Sequence, residues 1–156
     1  MPAVSIKKPH HTQELSMSCL PACTKMMLNF LGNEIEEPAL RNLLATTDDG
    51  TAVISMLVLD TLVPDLKVKI HQWSLAHLQK HLETKRHPCI VTVETRHLPY
   101  WNGVSCFHAI VIHGFDDKHI FINDPFYKPR EFRVTMGEFL LAWSEMQYIA
   151  ITIERR

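Results

Sequence analysis

The chain has 156 residues, a length that predicts one compact domain, residues 1–156, built around one core. Hydrophobic residues make up 46% of the sequence and charged residues 21%, which excludes disordered, collagen-like and coiled-coil proteins. Sixteen Lys and Arg against 17 Asp and Glu give a formal charge of −1. Charge therefore predicts neither a nucleic-acid nor a membrane partner.

The first residues also give no sign of a targeting segment. Prolines, lysines and histidines stand where a signal peptide needs an apolar run, and the longest apolar stretch, 52–59, is far shorter than the ~20 residues that cross a bilayer. We expect a soluble, cytoplasmic protein. Its four cysteines are expected to be free thiols, because a core of this size needs no disulfide and the compartment is expected to be reducing.

The first half of the chain is predicted to be helical. Ser18 is the expected N-cap of a helix that begins at Cys19 and stops at Gly32, with Pro21 tolerated in its first turn. The apolar stripe of this helix consists of Leu20, Cys23, Met27, Phe30 and Leu31. A short helix after Pro38, an apolar segment from Gly50 to about Val63, and a helix capped by Ser74 are expected to follow.

The second half is predicted to be mostly antiparallel sheet. Gly114 to Lys118 has the composition of a hairpin turn between two strands, and Thr135 to Glu138 has the capping-box pattern of one late helix. Runs rich in β-branched and aromatic residues predict strands at 89–94, 107–113, 119–123 and 147–153. Helices followed by antiparallel strands indicate an α+β domain.

Cys19 is the first candidate for chemistry. A cysteine at the start of a helix is ionised more easily, because the helix dipole and the free N–H groups of the first turn stabilise the thiolate, which is the nucleophilic form. The alternative interpretation is a small residue packed in the core. The choice depends on whether a base lies nearby.

The predicted hairpin offers such a base. With a turn centred on Asp116, His108 and Asp124 become cross-strand neighbours, so that the carboxylate can orient the imidazole. A surface pair is the alternative interpretation. Gln13, six residues before Cys19, could donate its amide to an oxygen that becomes negative during acyl transfer, although a glutamine in a polar loop commonly has no such role.

These segments together resemble the peptidase C39 and C39-like cysteine peptidases. The resemblance rests on Gln13, on Cys19-Leu-Pro-Ala-Cys23, on the stretch from Phe107 to Asp117, and on Phe121-Ile-Asn-Asp124-Pro125. It implies a papain-like fold, with N-terminal helices packed on a C-terminal antiparallel sheet. It also implies that Cys19 is the nucleophile, His108 the general base and acid, Asp124 the orienting carboxylate and Gln13 the oxyanion donor. It implies no cofactor, and a peptide or protein as substrate.

The sequence departs from the family pattern beside the nucleophile. The family usually has Gly after the cysteine and often Asp before it, whereas this chain has Leu20 and Ser18. Leu20 is expected to narrow or reshape the cleft, so the family's cleavage specificity does not carry over. The expected activity is hydrolysis of a peptide or isopeptide bond. The alternatives are a silent peptide-binding module and an acyl transferase that uses the same thiol.

Two further interpretations concern residues around this set. Cys19 and Cys23, with His10 and His11 nearby, could form a redox pair or bind zinc, but structural zinc sites usually have two cysteine pairs and this chain has one. No metal site is therefore expected. Tyr100 and Trp101 could line a peptide cleft or could merely cover the core.

Overall fold

A computed structural model of the protein describes residues 3–156, and it contains a seven-stranded antiparallel sheet. The strand order is β2-β7-β3-β4-β5-β6, and β1 pairs with β4 away from this path. The strands are β1 (Val4–Ser5), β2 (Leu66–Gln72), β3 (Cys89–Glu94), β4 (Phe107–Phe115), β5 (His119–Asn123), β6 (Glu131–Thr135) and β7 (Ile149–Arg155).

Helices cover both faces of the sheet and divide the apolar interior in two, so the expectation of one core is wrong. Helices α1 to α3 pack on one face, and α4 and α5 pack on the other. Alternate side chains of the central strands point to opposite faces and fill both clusters. The helices are α1 (Cys19–Phe30), α2 (Glu37–Leu43), α3 (Leu57–Leu62), α4 (Leu75–Lys85) and α5 (Met136–Ser144). Within residues 3–156, no helix combines the length and the hydropathy that a bilayer crossing requires.

The α+β prediction is confirmed, and several boundaries are where the sequence predicts them. Helix α1 begins at Cys19, and strands β3 and β5 have the predicted limits. Ser74 caps α4 by accepting a hydrogen bond from the His77 N–H at 3.1 Å. Thr135 and Glu138 form the expected reciprocal capping box at the start of α5.

Other elements differ from the prediction. The first half is not purely helical, since β2 lies between α3 and α4, and its alternation of apolar and polar residues is typical of a half-buried strand. Strand β6 was not predicted either, although Phe132 and Val134 alternate with exposed residues. Ser18 precedes α1 but does not cap it with its side chain, because its hydroxyl bonds to the backbone of Leu15.

The register of the β4–β5 hairpin also differs from the prediction. The turn closes from the Asp116 N–H to the His119 carbonyl at 3.0 Å, so the turn is not centred on Asp116. The pairing shifts between Ile112 and Gly114, and the last pair before the strand ends is Val111 with Asn123. In this register, His108 and Asp124 are diagonal neighbours on one side of the hairpin rather than directly opposite residues.

Strand β1 approaches β4 so closely that position 114 must be glycine. A Cβ at Gly114 would lie 2.1 Å from the Val4 carbonyl oxygen and 3.0 Å from the Ser5 Cα. Ser5 pairs with Gly114 in the ladder, and the Ile6 N–H donates to the His113 carbonyl at 2.8 Å. The missing side chain therefore allows the N-terminal segment to lie on the strand that carries His108.

Gly114→Ala is expected to destabilise the protein by about 1 to 3 kcal/mol, because the added methyl group must displace β1. Gly137→Ala is the matched control, since its Cβ would meet nothing within 4 Å. Urea unfolding followed by circular dichroism gives both free energies of unfolding. Equal stability of the two variants would contradict the close approach of β1 and β4.

Candidate active site

Helix α1 places Cys19 at its first position, next to the predicted base. The Cys19 thiol lies beside the His108 side chain and near the backbone N–H groups of Leu20 and Ala109. Burial opposes ionisation, but the hydrogen bond and charge of His108 outweigh it and hold the pKa of Cys19 below its usual value. Cys19 is thus set apart from Cys23 and Cys89, whose pKa values are raised by burial.

Strand β4 holds His108 between the thiol and a carboxylate. His108 Nε2 lies 2.7 Å from Asp124 Oδ1, so the other ring nitrogen, Nδ1, is the one available to Cys19. Burial alone would favour the neutral ring, but hydrogen bonds to Asp124 and Cys19 raise the pKa of His108 to about 10. The predicted contact between His108 and Asp124 is present, although the predicted register is not.

Asp124 has no exposed surface, and both of its carboxylate oxygens accept hydrogen bonds from the protein. Oδ1 accepts from His108 and from the Phe126 N–H at 3.0 Å. Oδ2 accepts from the Tyr100 hydroxyl at 2.8 Å and from Trp101 Nε1 at 2.9 Å. Four donors therefore fix the carboxylate that orients the imidazole.

Sequence reasoning missed this use of Tyr100 and Trp101. Both residues lie on a short 3₁₀ turn, Pro99–Trp101, just before β4. The Trp101 ring also contacts the His108 ring edge-to-face at 5.0 Å between centroids. The one signal available in the sequence was that both aromatic side chains carry a hydrogen-bond donor, which needs a partner when it is buried. Nothing in their spacing points to Asp124 as that partner.

Gln13 lies near the site, but in this structure its side chain is bonded within its own loop. Its Nε2 donates to the Leu15 carbonyl at 2.8 Å and to the Ser16 carbonyl at 3.1 Å. Its backbone N–H donates to the Pro125 carbonyl at 2.7 Å, which ties the loop to the Asp124 segment. Donation to an oxyanion at Cys19 thus requires the amide to release or share one of these bonds.

A buried acid at the start of α2 anchors the same loop. Glu37, with no exposed surface, accepts from His11 Nε2 at 3.1 Å and from the Glu14 N–H at 3.0 Å. Arg41 pairs with both Glu37 and Glu14. His11, Glu14 and Glu37 are the one group within residues 3–156 that is compact enough for a metal ion. Arg41 forms ion pairs with both carboxylates, so a cationic side chain already occupies this cluster.

The alternative zinc set is not brought together. Cys23 is completely buried in the cluster beneath α1, and His10 Nε2 bonds to the Tyr127 carbonyl at 2.9 Å. All four cysteines are free thiols.

A cavity of about 270 Å³ opens beside Cys19. Leu20 is 3% exposed and packs into the cluster under α1, and it also lines this cavity. Phe107, by contrast, is 75% exposed at the rim. The lining residues are Cys19, Leu20, Asp49, Gly50, Thr51, Val53, Thr92, Phe107, His108, Ala109 and Met146.

Comparison with family profiles shows which family the chain belongs to. The sequence profile of the Peptidase C39 family matches residues 7–155, almost the whole chain. The chain belongs to the Peptidase C39 family. Comparison with curated proteins found no match.

Solved C39 structures share the fold of this family member. A C39-like peptidase from Bacillus anthracis has 18% identity and a TM-score of 0.79, over 100% of this chain and 99% of that one. A double glycine motif protease from an AMS/PCAT transporter, in complex with the leader peptide, has 20% identity and a TM-score of 0.74, over 98% and 95%. The peptidase domain of Streptococcus ComA has 19% identity and a TM-score of 0.74, over 94% and 97%. At these identities the likeness establishes the fold.

In this C39 protein, Tyr100→Phe is expected to lower the free energy of unfolding by about 1.5 to 3 kcal/mol, because a buried carboxylate loses a hydrogen-bond donor. Tyr148→Phe is the control, since Tyr148 is 38% exposed and its hydroxyl makes no hydrogen bond within residues 3–156. Denaturant titration of both variants measures the difference. Equal values would mean that the Tyr100 hydroxyl contributes nothing to holding Asp124.

His108→Ala is expected to slow alkylation of Cys19 at neutral pH by at least about tenfold. Thiolate forms as pH rises through the Cys19 pKa, and loss of the imidazolium leaves burial to move that pKa upward. The measurement is the rate of iodoacetamide labelling against pH, read by peptide mapping, with the exposed Cys106 as the internal reference. An unchanged pH profile of Cys19 labelling would mean that His108 does not lower the pKa of the thiol.

Proposed function

We propose that the protein is a cysteine peptidase that hydrolyses a peptide or isopeptide bond, with Cys19 as nucleophile, His108 as general base and acid, and Asp124 as the orienting carboxylate. The proposal is carried by three groups in series: the Cys19 thiol lies beside His108, and His108 is hydrogen-bonded to Asp124 at 2.7 Å. The alternative for His108 and Asp124 was a surface pair, and the burial of both residues speaks against it. Family membership supports the same chemistry.

The geometry supports a conventional acyl-transfer sequence. The Cys19 thiolate attacks the substrate carbonyl carbon, and the carbonyl π electrons move to its oxygen. The His108 imidazolium then gives the Nδ1 proton to the leaving amine as the C–N bond breaks, which leaves a thioester on Cys19. Neutral His108 next takes a proton from water, and the hydroxide attacks the thioester carbonyl. The C–S bond then breaks, the acid product leaves, and the Cys19 thiolate and His108 imidazolium are restored. No cofactor takes part in these steps.

The cleft favours a peptide that is slender next to the scissile bond. The cavity beside Cys19 is small, and the Thr92 hydroxyl on its wall is buried without a hydrogen-bond partner. A backbone N–H or carbonyl of an extended substrate could satisfy it. One solved structure of this fold is a double glycine motif protease with its leader peptide bound, so peptides containing Gly-Gly are the first substrates to test.

One observation favours a second candidate, a C39 domain that binds a peptide without cutting it. Both amide hydrogens of Gln13 are engaged by loop carbonyls, so the oxyanion site lacks its side-chain donor until the loop rearranges.

We propose that substrate binding releases one of these bonds and turns the amide toward the oxyanion. The same residues would also serve acyl transfer to an amine.

The test compares wild-type protein with Cys19→Ala and with Cys106→Ala as the matched control. Cleavage of fluorogenic peptides with and without Gly-Gly is measured in water alone and with an added amine, and the products are identified by mass spectrometry. Cleavage that is abolished only in Cys19→Ala would establish the thiol hydrolase, and an amide product with the amine would establish acyl transfer. Tight peptide binding with no acyl-enzyme and no product would contradict the proposed peptidase activity and would support the silent binding module.

Gln13→Ala is expected to lower the cleavage rate about 100- to 1,000-fold, because an oxyanion donor acts on charge that appears only in the transition state. The melting temperature and the Cys19 alkylation rate should stay near wild type. Gln72→Ala is the control, because Gln72 Nε2 likewise donates to a loop carbonyl, that of Gln147, at 3.1 Å. Normal turnover in Gln13→Ala would leave Gln13 as a loop residue only.

A further inference from the structure

A second cavity lies on the face of the sheet opposite α1, between α4 and the β2–β7 edge. Its volume is about 260 Å³. It forms because the outward residues of β2 alternate with the apolar ones, so that Lys67, Lys69 and His71 all point to the side that α4 covers. The other lining residues are Trp73, His77, His81, Lys85, Thr152 and Glu154.

The walls carry an excess of positive charge, although Glu154 lies directly opposite Lys67 in the β2–β7 ladder. Lys67, Lys69 and Lys85 form no ion pair within residues 3–156, and Glu154 is the one acid among the lining residues. A neighbouring cavity of about 480 Å³ along α4 adds Lys80 to the same side. In a chain with a formal charge of −1, this local excess creates a field that attracts anions.

Three imidazoles are held around the cavity by a buried indole. Trp73 stacks with His71 at 4.4 Å and with His77 at 4.6 Å between ring centroids, and it contacts His81 at 5.2 Å. His71 Nε2 also lies 2.8 Å from the Thr152 hydroxyl. The walls are therefore fixed by aromatic packing and hydrogen bonding, not only by flexible lysines.

His81 supplies the observation that points to a ligand. Its side chain is 8% exposed, yet its Nε2 has no hydrogen-bond partner. A buried nitrogen without a partner is unfavourable, and a bound acceptor would relieve it. Burial lowers the pKa of His81 to about 4, so at neutral pH the ring can donate one N–H without carrying charge.

We propose that this cavity binds a compact oxyanion of two or more negative charges, a phosphate or polyphosphate group, between the lysines of β2 and α4, with His81 as a buried donor. A metal ion is the competing ligand for histidines. However, His71, His77 and His81 do not bring their ring nitrogens within metal-binding distance of one another, and unpaired lysines repel a cation.

The site is independent of the proposed peptidase chemistry, because it lies on the other face of the sheet from α1 and shares no lining residue with the cavity at Cys19. Anion binding can therefore be measured even on protein that has no peptidase activity.

The experiment is isothermal titration calorimetry of the whole chain with sodium tripolyphosphate at low ionic strength. Lys69→Gln/Lys85→Gln is expected to weaken binding at least about tenfold, because each ammonium makes a charge-assisted contact. Lys118→Gln/Lys128→Gln makes the same change in net charge at exposed lysines elsewhere and should stay within about twofold. Unchanged Cys19 alkylation verifies that both variants are folded.

Absence of saturable binding by the wild-type protein would overturn the proposal, and so would an equal loss in both double variants, which would show attraction by net charge alone. Histidine ring signals in NMR give a separate measurement: the His81 signals should move on addition of tripolyphosphate, whereas those of His119, at the start of β5, should not.

The phosphate group could belong to a soluble compound or to a lipid headgroup. Co-sedimentation with phosphatidylcholine vesicles, with and without phosphatidic acid, separates these sources. Binding only to the phosphatidic acid vesicles, lost in Lys69→Gln/Lys85→Gln, would identify a headgroup. Tripolyphosphate binding without vesicle binding would identify a soluble ligand.

Discussion

The buried carboxylate of Asp124 is the constraint on which the rest of the site depends. Taking a carboxylate out of water costs several kcal/mol unless its oxygens find donors. Here burial opposes ionisation, but the hydrogen bond and charge of His108, with further donors, outweigh it and hold the pKa of Asp124 below its usual value. Those donors come from the Tyr100–Trp101 turn, from β4 and from the segment after β5. The hydrogen bonds that this one buried carboxylate requires therefore fix three parts of the chain relative to one another.

The same carboxylate sets the charge state of the two groups beyond it. An ionised Asp124 favours a protonated His108, and a protonated His108 favours a thiolate at Cys19. None of the three groups titrates independently, because each carries the charge that stabilises its neighbour. The low polarity around them strengthens this dependence, since His108 and Asp124 are both buried.

The sequence is informative where local physics decides the structure. The start of α1, the caps at Ser74 and Thr135 and the limits of β3 depend on neighbouring residues, and they lie where the sequence predicts them. The alternation in β2 was equally local but was overlooked between two helices.

Other features could not be obtained in this way. The hairpin register depends on an irregular pairing near His113, which no periodicity indicates. The partners of Asp124 come from segments that are distant in sequence. The Gln13 amide bonds to carbonyls two and three residues further along, and no periodicity indicates this loop conformation. The candidate set could be proposed from the sequence because the resemblance to a family supplied a tertiary arrangement, which spacing alone does not give. The set is Gln13, Cys19, His108 and Asp124.

The seating of β1 on Gly114 gives the N-terminal segment a thermodynamic role. This segment is bonded to β4 through Ile6 and to the turn after Asp124 through Gln13, so it bridges the strand that carries His108 and the segment that carries Asp124. Local opening of β1 and rearrangement of the Gln13 loop are then linked equilibria of one short stretch of chain. By reciprocity, a ligand that orders the Gln13 loop is expected to slow hydrogen exchange at the β1 amides as well.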